Sequence, residues 1–137
     1  MSPESRPEGV PPDRVAIVGL GLMGASLAMA LRAAHPGLAV GGVDNDPAVV
    51  SKALDRGIAT EGGIRVELVA GAEIVVLAVP IRAMRSVLAR VAPHTGAAAV
   101  TDLASTKAAV MGWATSAGVE LVGGHPMAGR EVGGIDA

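Results

Sequence analysis

Three glycines, Gly19, Gly21 and Gly24, stand in the pattern G-x-G-x-x-G within "GLGLMG", and an acid, Asp44, closes "GGVD" further along. The gap from the last glycine to the acid is about twenty residues, the separation that a dinucleotide fold places between its phosphate turn and its ribose contact. Glycine at the first position permits a tight turn. At the second it lets a pyrophosphate approach the backbone, and at the third it lets a helix lie close to a strand. The unpaired N–H groups at the start of that helix attract an anion, and a carboxylate such as Asp44 accepts hydrogen bonds from ribose hydroxyls. Leu22 and Met23 share the loop and would lie beside the same ligand. A phosphate on the ribose 2′ position would face the Asp44 carboxylate, and neighbouring Asn45 and Asp46 offer no arginine to meet it. The expected cofactor is therefore NAD, with NADP disfavoured.

Three later segments could add chemistry. "AVP", Ala78 to Pro80, puts Val79 and a proline where a strand should end, able to line a cofactor channel or simply to stop the strand. "DLASTK", Asp102 to Lys107, offers the Ser105 hydroxyl, equally suited to capping a helix and to touching a substrate. Lys107 reads as a solvated helix residue. "GGHPMAGREVGG" holds His125 in front of Pro126 in a glycine-rich loop. A histidine accepts a proton near neutral pH, which suits oxidation of a hydroxyl coupled to loss of hydride. His35 and His94 adjoin helix-ending prolines and read as surface residues.

The elements that must position these groups alternate along the chain. "RVAIVG" reads as a buried strand, followed by a helix from Met23 to His35-Pro36-Gly37 whose apolar face is Met23, Leu27, Ala30, Leu31 and Ala34. "LAVGGVD" is a second strand. "DPAVVSKALDRG" is a helix with Asp46 as N-cap, Pro47 at its first position and Gly57 past its end. A weaker strand or turn is expected around Ile58 to Thr60. "EIVVLAVP" is an apolar strand, and Ile81, Met84, Leu88 and Val91 keep helical spacing up to Pro93. "AAAVTD" is a strand, a helix should run from Thr106 to about Ala117, and "VELVGG" is a last strand. Strand–helix alternation of this kind predicts an α/β fold, a doubly wound parallel sheet of Rossmann type. Its ligands bind beyond the carboxyl ends of the strands, where all five of these loops fall.

Composition excludes several alternatives. The chain has 137 residues, half of them apolar, with a net charge of −2 and no cysteine. That suits one domain and rules out disulfides and thiolate chemistry, and no metal site is expected. One tryptophan, without phenylalanine or tyrosine, cannot build a stacking platform, and no basic cluster appears, so no nucleic-acid partner is expected. Val15 to Leu31 is uncharged over 17 residues. Spanning a membrane takes about twenty, and the glycines break this stretch, so no membrane span is expected. Residues 1–13, "MSPESRPEGVPPD", carry charge and four prolines without an apolar core. They read as a flexible tail rather than a signal peptide, ahead of a nucleotide-binding domain over 14–137, and the expected location is cytoplasmic.

The set "VAIVGLGLMGASLAMAL", "GVDNDP", "LAVP", "VTDLASTK" and "GGHPMAGREVGG" resembles, in order from about Arg14 to the last residue, the prephenate/arogenate dehydrogenase family of tyrosine biosynthesis. The pairing of D-x-x-S-x-K with H-P-M-A-G-x-E carries the resemblance more specifically than the glycines do. It implies NAD(P)-dependent oxidative decarboxylation of prephenate or arogenate to 4-hydroxyphenylpyruvate or tyrosine. It places the family's catalytic histidine on His125, its hydroxyl-holding serine on Ser105, and the glutamate of an ionic gate over the substrate on Glu131. Arg130 falls at a variable position of the motif and receives no role. The resemblance also implies a helical, dimerising domain beyond Ala137, hence a homodimer in the full-length protein, and places the residues that bind the substrate carboxylates there. The domain is accordingly expected to be incomplete at its C-terminal end and inactive alone. Two rival readings are another Rossmann-type dehydrogenase, such as a β-hydroxyacid dehydrogenase, and a non-catalytic NAD-binding module. The H-P-M-A-G loop speaks against the first, and the His125–Ser105 pair against the second.

Overall fold

The computed structural model describes residues 12–103, 107–119 and 121–122. Six short strands form: β1 (Arg14–Val18), β2 (Ala39–Val43), β3 (Glu61–Gly63), β4 (Ile74–Leu77), β5 (Ala99–Asp102) and β6 (Leu121–Val122), all but β3 containing valine. Between them lie helices α1 (Leu22–Ala34), α2 (Pro47–Asp55), α3 (Ile81–Val91) and α4 (Lys107–Ala117), and 3₁₀ turns over Val66–Val69 and Ala92–His94. All strand pairs are parallel, in the order β3-β2-β1-β4-β5-β6. The chain steps outward from β1 to β3, then returns to lay β4 on the other side of β1. The direction of winding therefore reverses between β1 and β4, and a crevice opens there at the carboxyl ends. This is the doubly wound sheet that the strand–helix alternation predicts.

Alternation along β1 feeds two cores. Val15 and Ile17 join Ala28, Val40, Val50 and Ala53 under α1 and α2. Ala16 and Val18 join Val75, Leu77, Met84, Leu88 and Val91 under α3, with Ala114 of α4 in the same cluster. Residues 15–18 are therefore buried whichever way they point, which is why the strand reads as one unbroken apolar run.

Local signals hold well at α2. The Asp46 carboxylate accepts a hydrogen bond from the Ala48 amide at 2.9 Å, Pro47 opens the helix, and Gly57 follows it with a φ of +70°. In α3, Met84, Leu88 and Val91 are fully buried, whereas Ile81 is 41% exposed at the helix start.

Four expectations are corrected. The weak strand forms at Glu61–Gly63 rather than Ile58–Thr60, because Thr60 is clamped just before it: its Oγ1 accepts from the Val40 amide at 2.9 Å and donates to the Val40 carbonyl at 3.0 Å. The inner face of α1 runs through Gly24 and Ala28 with Leu27 and Leu31 partly buried, while Met23 and Ala34 are exposed. Gly24 packs against Gly19 and Ala78 just beyond the strand ends, so the helix turns its residue without a side chain toward the glycine turn. Asp13, expected to end a flexible tail, is held against the sheet just before β1. Its amide donates to Glu73 at 2.6 Å and its carbonyl accepts from Ala39 at 3.1 Å. His94 is half-buried, although His35 is exposed as expected.

Candidate functional site

The first turn is built where three strands converge. Gly19 has a φ of +103°, its amide donates to the Val43 carbonyl at 2.7 Å, and a Cβ on it would stand 2.6 Å from the Ala78 carbonyl oxygen. The residue therefore needs both the left-handed conformation and the absent side chain. Gly24 sits below the turn, where a Cβ would overlap the Gly19 carbonyl oxygen. Gly21 differs from both: a Cβ there would meet nothing within 4 Å. It is the N-cap of α1, no side chain caps that helix, and its first amides remain free to meet an anion from the open side.

Asp44 directly follows β2 beside this turn. One carboxylate oxygen, Oδ2, accepts from the Leu20 amide at 2.9 Å, and the other, Oδ1, accepts from the Asp46 amide at 3.0 Å. Asp46 in turn caps α2. The carboxylate thus bridges the glycine turn and the turn after β2 while remaining at the edge of the crevice.

A cavity of about 620 Å³ fills the crevice, within the range of small-molecule sites. Its floor is Gly19, Gly21, Leu22 and Met23, its near wall Asp44 and Asn45, and its far wall Ala78, Val79 and Pro80. Every predicted cofactor residue among these lines one space; Gly24 does not, and serves instead to seat the helix beneath the turn. Sequence reasoning missed a second part of the cavity, between Ile64 and Val66 on one side and Ala83, Ser86, Val87 and Arg90 of α3 on the other. The signal was present in the spacing of 83, 86, 87 and 90, a stripe adjoining the buried Met84, Leu88 and Val91. Beside Val66, the Glu67 carboxyl is held below its ordinary range by its own backbone amide and then by the Arg65 guanidinium, 3.5 Å away.

Fully buried Asp102 ends β5, and Leu103 reaches the cavity. Ser105, His125 and Glu131 lie outside the described residues. Strand β6 is parallel to β5, so the chain leaves Val122 at the same end of the sheet as the cavity. Among the described residues, no three His, Cys, Asp or Glu gather as metal ligands would, and no helix is long and apolar enough to cross a membrane.

Comparison with known proteins agrees with this geometry. A family model described as "Prephenate dehydrogenase, nucleotide-binding domain" matches residues 27–137. A prephenate dehydrogenase of Lactococcus lactis is 36% identical over 133 residues, covering 90% of this chain and 36% of that protein. A crystal structure of prephenate dehydrogenase from A. aeolicus, in complex with hydroxyphenyl propionate and NAD+, superposes with a TM-score of 0.78 at 33% identity, covering 90% of this chain and 44% of the other. Synechocystis arogenate dehydrogenase gives a TM-score of 0.74 at 35% identity, with 80% and 39% covered. The chain thus spans less than half the length of each of these relatives. The family match begins after the glycine turn, which adds its own structural support, and takes in Asp44 and the Val79–Pro80 wall of the crevice: the chain belongs to the family of prephenate dehydrogenase nucleotide-binding domains.

Proposed function

We propose that this chain binds NAD and serves the oxidative decarboxylation of prephenate or arogenate, within a cytoplasmic homodimeric enzyme. The observation that carries the reading is one cavity that joins an open glycine turn to the Asp44 carboxylate and to Val79–Pro80 beyond the end of β4. The residues fit a dinucleotide in each part. Above Gly21 there is room for a pyrophosphate, Asp44 stands where ribose hydroxyls would pass, and Ile64, Val66, Ala83 and Val87 offer an apolar slot for a flat ring. When bound, NAD supplies the hydride acceptor.

The protein's own part in the chemistry is proton handling and orientation, and the family resemblance supports assigning it to the loops after β5 and β6. His125 hydrogen-bonds the ring hydroxyl and takes its proton as the carbon bearing that hydroxyl loses hydride. Ser105 holds the hydroxyl and the imidazole in line, and Glu131 takes part in closing the site. Loss of carbon dioxide leaves its bonding electrons in the ring, which becomes aromatic, and the new carbonyl oxygen takes up a proton to become a phenol.

Calorimetry with NAD and NADP, followed by a nicotinamide-absorbance assay of the full-length protein with prephenate and with arogenate, tests the reading. NAD binding and reduction with either acid is the expected outcome. Binding without reduction of NAD by either acid would remove the enzymatic assignment and leave an NAD-binding module.

A further inference from the structure

We infer that Asp44 is a positioning residue for the phosphate-binding turn as well as a ribose contact, an inference that rests on the NAD reading of the cavity. The Leu20 amide lies inside the glycine pattern, between the two glycines that shape the turn, and it donates to Asp44 Oδ2 at 2.9 Å. Leu20 is 5% exposed, and its side chain is seated over Gly42 of β2, where a Cβ would stand 2.8 Å from Leu20 Cδ1 and 3.3 Å from the Ala59 methyl. Its amide is thus carried on a residue fixed by the core, next to Gly19, whose own amide is bound to Val43 at 2.7 Å. Two successive amides of the turn are therefore fastened to the end of β2, one through a backbone carbonyl and one through the Asp44 carboxylate.

The second fastening depends on side-chain chemistry, and the same side chain faces the ribose. Removing the carboxylate leaves the Leu20 amide without its acceptor in a place largely closed to water, a cost the turn relieves by moving. A moved turn presents its amides less well to a pyrophosphate, so part of the loss falls on a portion of the ligand that Asp44 never touches. The geometry thus couples two subsites through one residue.

The test uses NAD and an NAD analogue lacking both hydroxyls on its adenosine ribose, titrated into full-length wild type, Asp44→Ser and Asp44→Asn at a temperature where each is folded. If Asp44 acted only through the hydroxyls, Asp44→Ser would bind the analogue as well as wild type does. We expect the analogue to bind Asp44→Ser about tenfold more weakly, the order set by a buried donor losing its acceptor. Asp44→Asn keeps an oxygen for the Leu20 amide and should recover most of that loss for the analogue. Hydrogen exchange of the Leu20 amide in the ligand-free protein should be faster in Asp44→Ser and near wild type in Asp44→Asn. Equal analogue affinity in wild type and Asp44→Ser overturns the positioning role while the NAD reading stands. Failure of wild type to bind NAD at all overturns both.

Discussion

At the scale of single residues, Asp44 and His125 carry opposite kinds of expectation. Asp44 is described, bonded on both oxygens, and placed at the cavity wall. It should make wild type bind NAD better than NADP, because a 2′-phosphate would bring negative charge against the carboxylate. Asp44→Ser should narrow that preference, chiefly by weakening NAD; equal affinity of wild type for the two dinucleotides would show that the carboxylate does not read the ribose. His125 rests on sequence alone. His125→Asn in the full-length enzyme should keep NAD affinity and lose about 10²- to 10⁴-fold in turnover, as expected for loss of a placed general base. The rate should also fall at low pH, since a protonated imidazole cannot accept the hydroxyl's hydrogen. A pH–rate profile of the wild type with no fall on its acid side would remove the histidine from the proton transfer. The placement of Asp44 and Gly19 was legible because each type answers a specific structural demand: an acceptor at a strand end, and a left-handed turn. Ser105 was not separable in the sequence, since a hydroxyl before a helix caps as readily as it binds.

At the scale of elements, the glycine turn divides into residues that build it and a residue that uses it. Gly24→Ala pushes a methyl into the Gly19 carbonyl, so α1 must lift from the turn. Such overpacking should cost about 1–3 kcal/mol and lower NAD affinity together with stability. Gly21→Ala meets open space and leaves a residue with an ordinary φ of −72°. It should change stability by no more than about 0.5 kcal/mol yet weaken NAD, because the methyl occupies the path of the phosphates. Denaturant unfolding and NAD titration on the two variants distinguish these outcomes; equal NAD affinity in Gly21→Ala and wild type would place the pyrophosphate elsewhere. The strands with β-branched apolar runs and the capped α2 were readable from sequence because local pattern and tertiary role agree there. Strand β3 was not, since Glu61-Gly62-Gly63 has neither apolar residues nor alternation and exists only by pairing with β2. The face of α1 was misjudged by counting apolar residues, when the position that matters most for its seating is a glycine.

At the scale of the whole molecule, the sequence revealed the winding of the sheet and the end at which ligands enter, because alternation and right-handed crossovers leave few topologies. It did not reveal the slot between Ile64–Val66 and α3, which joins residues from a 3₁₀ turn and a helix with no shared motif. The separation of cofactor and substrate chemistry follows from the same layout. The cofactor groups on the glycine turn and after β2 are assembled within the sheet, whereas prephenate, the proposed substrate, carries two carboxylates that each need a cation on leaving water. Among the described residues lining the cavity, Arg90 is the one cation, and it stands with Ser86 and Val87 on α3 rather than at the strand end of Val79–Pro80. A chain of residues 1–137 produced alone should therefore bind NAD and form no NADH from prephenate. Absorbance at the reduced nicotinamide band checks this, and measurable NADH would place the substrate site within these residues.

The seat of Gly19 against Ala78 has a consequence for the order of assembly. The turn is written early in the chain, yet the carbonyl that shapes its far side, and the Ala78 amide that donates to Val18 at 2.7 Å, arrive with β4 almost sixty residues later. A nascent chain that has emerged only as far as Gly63 can pair β1 with β2 and β2 with β3, but the other edge of β1 remains bare. That edge is a template for any strand nearby, including another ribosome's product. The central position of β1 therefore delays completion of the cofactor site until β4 docks, and makes the interval before docking the period when the chain most needs protection from its neighbours.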